Sequence, residues 1–198
     1  MLLTLLALAL AANPAPDALD RLAGALRASP GWRAAFVQQY VPEGFDTGTT
    51  ERGGVTVAPP ARLRFDYTSG APRVFATDGS IGRLVDPGAG TCDAIRLDAG
   101  VWARLPLSAV LDPGAARHAF VVETSGAAIR LVPRAPTPDL AEVTVTLGAD
   151  QLPAEVTVRD ASGNRNRFTF SGWRRDREPP AAFFQPSLPG SAPCLPEE

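Results

Sequence analysis

The side chains able to do covalent or metal chemistry are few in this chain. There is one histidine, His118, so a site built from several imidazoles is excluded. No nucleophile elbow, phosphate-binding glycine loop or Cys-x-x-Cys motif occurs. A Ser-His-Asp set need not be contiguous in sequence, and nothing in the spacing points to one. Asp78, Asp86 and Asp160 stand in turn sequences (Asp78-Gly79, Asp86-Pro87-Gly88, Asp160-Ala161-Ser162-Gly163), where Asp stabilises the backbone. The two cysteines, Cys92 and Cys194, can pair in an oxidising compartment or stand as independent thiols. The reading is of a protein that is not an enzyme and needs no metal or cofactor. Its chemistry then resides in apolar surface and the elements that present it.

The net charge is −2 and every basic side chain is Arg, which gives no electrostatic case for a nucleic-acid partner. At 198 residues and 45% hydrophobic, the chain can build one domain with a substantial core. Residues Leu2 to Ala12 form an apolar run too short for a membrane span of roughly 20 residues. It fits the apolar region of a secretory signal over residues 1–12, although no basic residue precedes it. A buried helix is the other reading of that run.

The stretch from Ala58 to Pro87 organises the rest. Leu63, Phe65 and Tyr67 alternate with Arg62, Arg64 and Asp66, so apolar side chains line one face of a strand and charges line the other, solvent face. Asp78-Gly79 reads as a tight hairpin, and Asp86-Pro87-Gly88 closes the next strand. Upstream, Asp17 to Ala28 reads as a helix with Asp17 as N-cap and Leu19, Leu22 and Leu26 on one face. That helix either packs permanently on a core or covers a groove. Trp32 to Val41 reads as a strand with Trp32, Ala34 and Phe36 on one face, followed by a loop over 42–52 and a strand from Gly54 to Val57. Thr91 to Leu97 is a further strand. Pro106 to Leu111 reads as a helical turn, ended by Asp112-Pro113-Gly114. Strands are expected over His118–Thr124, Ala128–Pro133, Glu142–Leu147, Glu155–Arg159 and Arg167–Trp173. Short strands at this spacing indicate an all-β sandwich or barrel. Beyond Arg174 the chain is rich in Pro, with Phe183-Phe184 as its apolar anchor.

Several of these segments, in order, resemble the LolA family of periplasmic carriers of outer-membrane lipoproteins. The similarity rests on Trp32, Ala34, Phe36 and Gln38; on Gly53 to Val57 and Pro60; on Arg64-Phe65-Asp66-Tyr67; on Asp78-Gly79 and Asp86-Pro87; and on Ile129, Leu131, Pro133 and the late turn Asp160 to Gly163. The resemblance covers residues 17–188 as a single domain, with a Pro-rich tail over 189–198. It implies a mainly β fold with some α: an incomplete, half-open antiparallel β-barrel covered by the N-terminal helix and a short mid-chain helical lid. It implies a periplasmic chaperone that binds lipoprotein acyl chains in a cavity lined by Trp32, Phe36, Val55, Val57, Leu63, Phe65 and Tyr67. Leu19, Leu22, Leu26, Leu107, Val110 and Leu111 would form the lid. The partners implied are acylated lipoproteins, an inner-membrane exporter and an outer-membrane acceptor, with the carrier a monomer.

Two departures matter. The family's Arg before the corner Pro, which latches the lid, is Pro59 here, and Gly82, Arg83 and Val85 replace its usual aromatics before the Pro. These leave open a related carrier or sensor of another amphiphile such as a glycolipid. A filled-core interaction domain is a further alternative. Energetically, three acyl chains of about 15 methylenes at roughly 0.8 kcal/mol each would yield on the order of 36 kcal/mol, above the practical ceiling of about 18–21 kcal/mol. A working carrier must therefore bury its cargo partly, or spend binding energy on opening.

Overall fold

Two long strands form the middle of the molecule. The computed structural model describes residues 15–97, 112–135 and 137–196. Strand β1 (Gly31–Val41) pairs along its length with β2 (Thr49–Ala58) on one side and β11 (Arg165–Asp176) on the other. Around them lie β3 (Arg62–Tyr67), β4 (Arg73–Thr77), β5 (Ile81–Asp86), β6 (Thr91–Arg96), β7 (Phe120–Ser125), β8 (Ala128–Pro133), β9 (Glu142–Leu147) and β10 (Pro153–Arg159). The eleven strands form one sheet in the order β6-β5-β4-β3-β2-β1-β11-β10-β9-β8-β7. Every pairing is antiparallel, and the sheet is open, with β6 and β7 as its edges. This is the expected mainly β, unclosed architecture.

The inner face of the sheet is covered by α1 (Ala18–Arg27). Asp17 caps this helix by accepting the Asp20 amide at 2.9 Å. Ala18, Leu19, Leu22, Ala23 and Leu26 are buried, as their helical spacing predicts. Three polar ties fix α1. The Trp32 indole donates to the Leu26 carbonyl at 2.8 Å, Arg21 donates to the Gln151 side chain and the Gly126 carbonyl, and Arg117 bridges Asp17 and Asp20. In this structure the apolar face of α1 packs on the core.

The boundaries differ from expectation in instructive places. Strand β2 begins at Thr49, because Thr49–Arg52 continue the register opposite Tyr40–Val37 despite their loop-like composition. The segment from His118 does not begin as a strand. His118 lies in α2 (Pro113–Ala119), and β7 starts at Phe120. Asp112 opens that helix, with its carboxylate accepting the Gly114 and Ala115 amides. Asp followed by Pro is the N-cap and N1 signature of a helix start. The expected turn over Pro106–Leu111, with lid residues Leu107, Val110 and Leu111, lies outside the described residues, as do residues 1–12.

The tail crosses the outer face. A 3-10 turn over Ala181–Phe184 seats Phe184, which is fully buried, and Arg62 and Arg64 stack on Phe184 and Phe183 at 5.4 and 4.5 Å. Arg64 also donates to the Phe183 carbonyl and pairs with Asp66, while Arg62 pairs with Glu178. Arg62 and Arg64 do face away from the core, but their face is not a solvent face: the tail covers it. At the far end of the tail Cys194 is disulfide-bonded to Cys92 on edge strand β6. Among the described residues no helix is long and apolar enough to cross a membrane.

Candidate functional site on the inner face of the sheet

The inner face carries a continuous apolar surface that begins in an aromatic cluster. Phe36 meets Phe65 edge-on at 5.0 Å and Tyr67 at 5.1 Å, and Phe65 lies 5.6 Å from Phe168. Gly53 makes this possible. A Cβ there would sit 2.0 Å from the Asp66 carbonyl oxygen and 2.8 Å from the Phe36 ring. Trp32, Phe36, Val55, Val57, Leu63 and Phe65 are all buried and share one cluster with Leu19, Leu22 and Leu26, while Tyr67 packs against it half-buried. The sequence-derived inner-face residues are therefore brought together. In this state most of them fill a core beneath α1.

The same face continues past the helix toward the β6 edge. Strand register places Phe65, Phe75 and Leu84 in one row and Leu63, Thr77, Gly82 and Ile95 in the next. Here the apolar surface emerges: Phe75 is half-buried, Leu84 is 38% exposed and Ile95 is 51% exposed. Gly82 lets them converge, since a Cβ there would touch Ile95, Leu97 and Phe75 at 3.3–3.6 Å. Phe75, Leu84 and Ile95 are not among the expected cavity residues. Their alternation is legible in each short strand, but only the register across three strands joins them. Arg83 and Val85, which replace aromatics in the sequence comparison, face the other way and are buried beneath the tail.

A polar rim bounds the aromatic cluster where β1 ends. The Tyr67 hydroxyl donates to Gln38 at 2.7 Å, and Gln38 donates in turn to Asn166 at 3.0 Å. Arg73 lies 4.3 Å over the Tyr67 ring and makes two 2.6 Å hydrogen bonds to Glu51. Burial pushes the Tyr67 phenol up to about 12, against a smaller opposing effect of Arg73, so it stays a neutral donor. The Glu51 carboxylate, accepting hydrogen bonds from Arg73, raises that guanidinium above its ordinary value. The rim is held by the Arg73–Glu51 ion pair and the Tyr67–Gln38–Asn166 hydrogen bonds.

The titratable groups singled out from the sequence are occupied structurally. Asp78 accepts the Ser80 and Ile81 amides, Asp86 the Ala89 amide and Asp160 the Asn164 amide. His118 is exposed, and among the described residues no cluster of His, Cys, Asp and Glu is arranged to hold a metal. Pro59 has no donor to latch a lid. Arg62 and Arg64, the nearest substitutes, are engaged on the outer face with Glu178, Asp66 and the tail.

A family model described as the outer membrane lipoprotein carrier protein LolA matches residues 28–187. A comparison with curated proteins finds no match. Among solved structures, an uncharacterized conserved protein from Thermus thermophilus is similar with a TM-score of 0.53 and 14% identity, over 91% of this chain and 97% of that one. The MucA/MucB complex of Pseudomonas aeruginosa gives a TM-score of 0.49 at 19% identity, over 86% of this chain, and this chain spans only 60% of the length of that one. A LolA superfamily protein from Nitrosomonas europaea gives 0.47 at 11% identity, over 86% and 98% of the two chains. At these identities the structural likeness concerns the fold.

Proposed function

The chain belongs to the LolA family of outer membrane lipoprotein carrier proteins, and from that premise we propose that it is a periplasmic carrier of acylated lipoproteins. It takes them from an inner-membrane exporter, shields their acyl chains and passes them to an outer-membrane acceptor, without catalysis or a cofactor. The observation that carries this reading is the apolar inner face running from the Phe36–Phe65 cluster out through half-buried Phe75 to exposed Leu84 and Ile95. Non-directional apolar contact suits cargo that shares acyl chains and differs in sequence.

The ties of α1 to Trp32, Arg117, Gln151 and Gly126 give the site a direction. They hold the helix over the β7–β8 side, so acyl chains reach the aromatic cluster from the β4–β6 side. The exposed residues are the first to be covered, and deeper insertion displaces core packing around Phe65. That internal cost offsets part of the burial gain and keeps the cargo releasable.

The test is fluorescence titration with a tri-acylated lipopeptide. Leu84→Arg with Ile95→Arg is expected to weaken binding by at least tenfold while the melting temperature stays within a few degrees, since both sites are partly exposed and such substitutions usually move stability by about 0.5 kcal/mol or less. Unchanged lipopeptide affinity in this variant would remove the β4–β6 side from the site.

A further inference from the structure

Five arginines gather at the end of the sheet where β1 begins. Arg27 lies in the last turn of α1, Arg33 near the start of β1, Arg174 and Arg175 near the end of β11, and Arg177 just beyond it. All five are exposed. Pairing of Gly31 with Asp176, Trp32 with Arg175 and Arg33 with Arg174 brings them to one edge of the molecule. A bulge creates that pairing: between Arg33 and Ala35 the partner on β11 jumps from Arg174 to Ser171, and Gly172 takes a φ of 67°. The bulge sets two guanidinium side chains directly opposite one another, which opposes folding.

Of the five, only Arg33 is neutralised locally by an ion pair among the described residues. Asp176 is engaged by Arg33 and Glu178 by Arg62. Among the described residues Arg27, Arg174, Arg175 and Arg177 make no ion pair, and Arg175 only stacks over Trp32, at 5.8 Å. This concentration stands in a chain whose net charge is −2. Beside it opens a cleft of about 570 Å³ with Arg33 and Arg174 at its rim, small residues Ala35, Gly54 and Gly172 along it, and Phe183 of the tail as a wall. The cleft also meets Asp66, whose carboxylate is taken by Arg64.

We propose that this end of the protein docks on the anionic headgroups of a membrane. Guanidinium groups bind phosphate oxygens in a planar, two-pronged geometry, and clusters of four or more basic side chains are attracted to anionic lipid surfaces. A peptide partner fits less well. Strand β1 is paired on both sides, and β11 is flanked by β10 only up to Thr169, so backbone pairing is offered only along the short stretch beyond it. The cationic groups sit on strand and helix ends, where a broad surface can meet them together. The surface is separate from exposed Leu84 and Ile95, so the protein can rest on a bilayer while its apolar inner face stays free. This inference stands whether or not that face takes acyl chains.

The experiment is co-sedimentation with vesicles of phosphatidylglycerol and phosphatidylcholine, against phosphatidylcholine alone. Binding is expected only to the anionic vesicles and is lost in high salt. Each Arg contributes roughly fivefold in partitioning, so Arg27→Gln, Arg174→Gln and Arg177→Gln together weaken it about a hundredfold, and Arg174→Gln alone about fivefold. Arg52→Gln, Arg165→Gln and Arg167→Gln change net charge equally but lie elsewhere on exposed strands, and they leave binding near wild type. Thermal melts confirm folding, and the single variant keeps the test informative if a triple variant does not fold. Equal loss in both triple variants, loss in neither, or wild-type binding to acidic polypeptide but not to anionic vesicles overturns the proposal.

Discussion

Replacing Cys92 and Cys194 by Ser together removes a cross-link between edge strand β6 and the tail, across a sequence separation of 102 residues. In the chain-entropy account, opening a loop of about 100 residues in the unfolded state costs stability of about 4.7 kcal/mol. Against a total of about 5–15 kcal/mol for a domain, that is a large fraction. At about 2–4 °C per kcal/mol for this size, the melting temperature should fall by about 9–19 °C. The native state need not rearrange, because Phe184 is fully buried and the Arg62 and Arg64 stacks hold the tail independently of the sulfurs. The assay is thermal and urea unfolding of the double variant and of wild type with and without reductant. Reduced wild type should match the variant, and reductant should leave the variant unchanged. A fall below about 3 °C, with unfolding still cooperative, would refute the claim that this bond constrains the unfolded chain.

Two further substitutions probe the outer and inner faces. Burial of Asp78 raises its carboxyl, but the Ile81 and Ser80 amides and the Arg83 guanidinium outweigh that and hold it below its ordinary value. Such a group contributes stability above its unfolded value of about 4, and loses it as pH falls through the lower folded value, so wild type should weaken below about pH 4. Asp78→Asn should flatten that acid limb in pH-dependent unfolding. At neutral pH it should cost about 2–3 kcal/mol, less than for a fully buried pair, because Arg83 is 4% exposed and Asp78 17%. Gly53→Ala should cost more than about 1 kcal/mol by denaturant unfolding, since the added Cβ overlaps the Asp66 carbonyl and the Phe36 ring. A neutral result there would mean that the aromatic cluster yields easily.

Much of the architecture is legible wherever one strand or helix carries its own pattern. Leu63, Phe65 and Tyr67 alternate, Leu19, Leu22 and Leu26 recur at helical spacing, and each lands on the inner face as its period requires. The expectation misplaces elements where a signal has two meanings. Asp112-Pro113-Gly114 has the composition of a stop, but its Asp and Pro also stand in helix-start positions, and the helix they open takes up His118, where a strand is expected to begin. The exposed part of the site is invisible for another reason. Phe75, Leu84 and Ile95 sit on three short strands, and their adjacency depends on register between strands. The outer face illustrates the same limit over a longer range. The alternation places Arg62 and Arg64 correctly, but only the tail, over 100 residues later, turns a charged face into a covered one.

The central claim is that this protein carries acylated polypeptides on the inner face of its sheet. Native mass spectrometry tests it most directly, on protein purified gently from a periplasm that also makes lipoproteins. The account predicts a bound species with the mass of an acylated polypeptide, lost when Leu84 and Ile95 are both replaced by Arg. A bound lipid without polypeptide, or an unliganded protein that also fails to bind added lipopeptide, would contradict it.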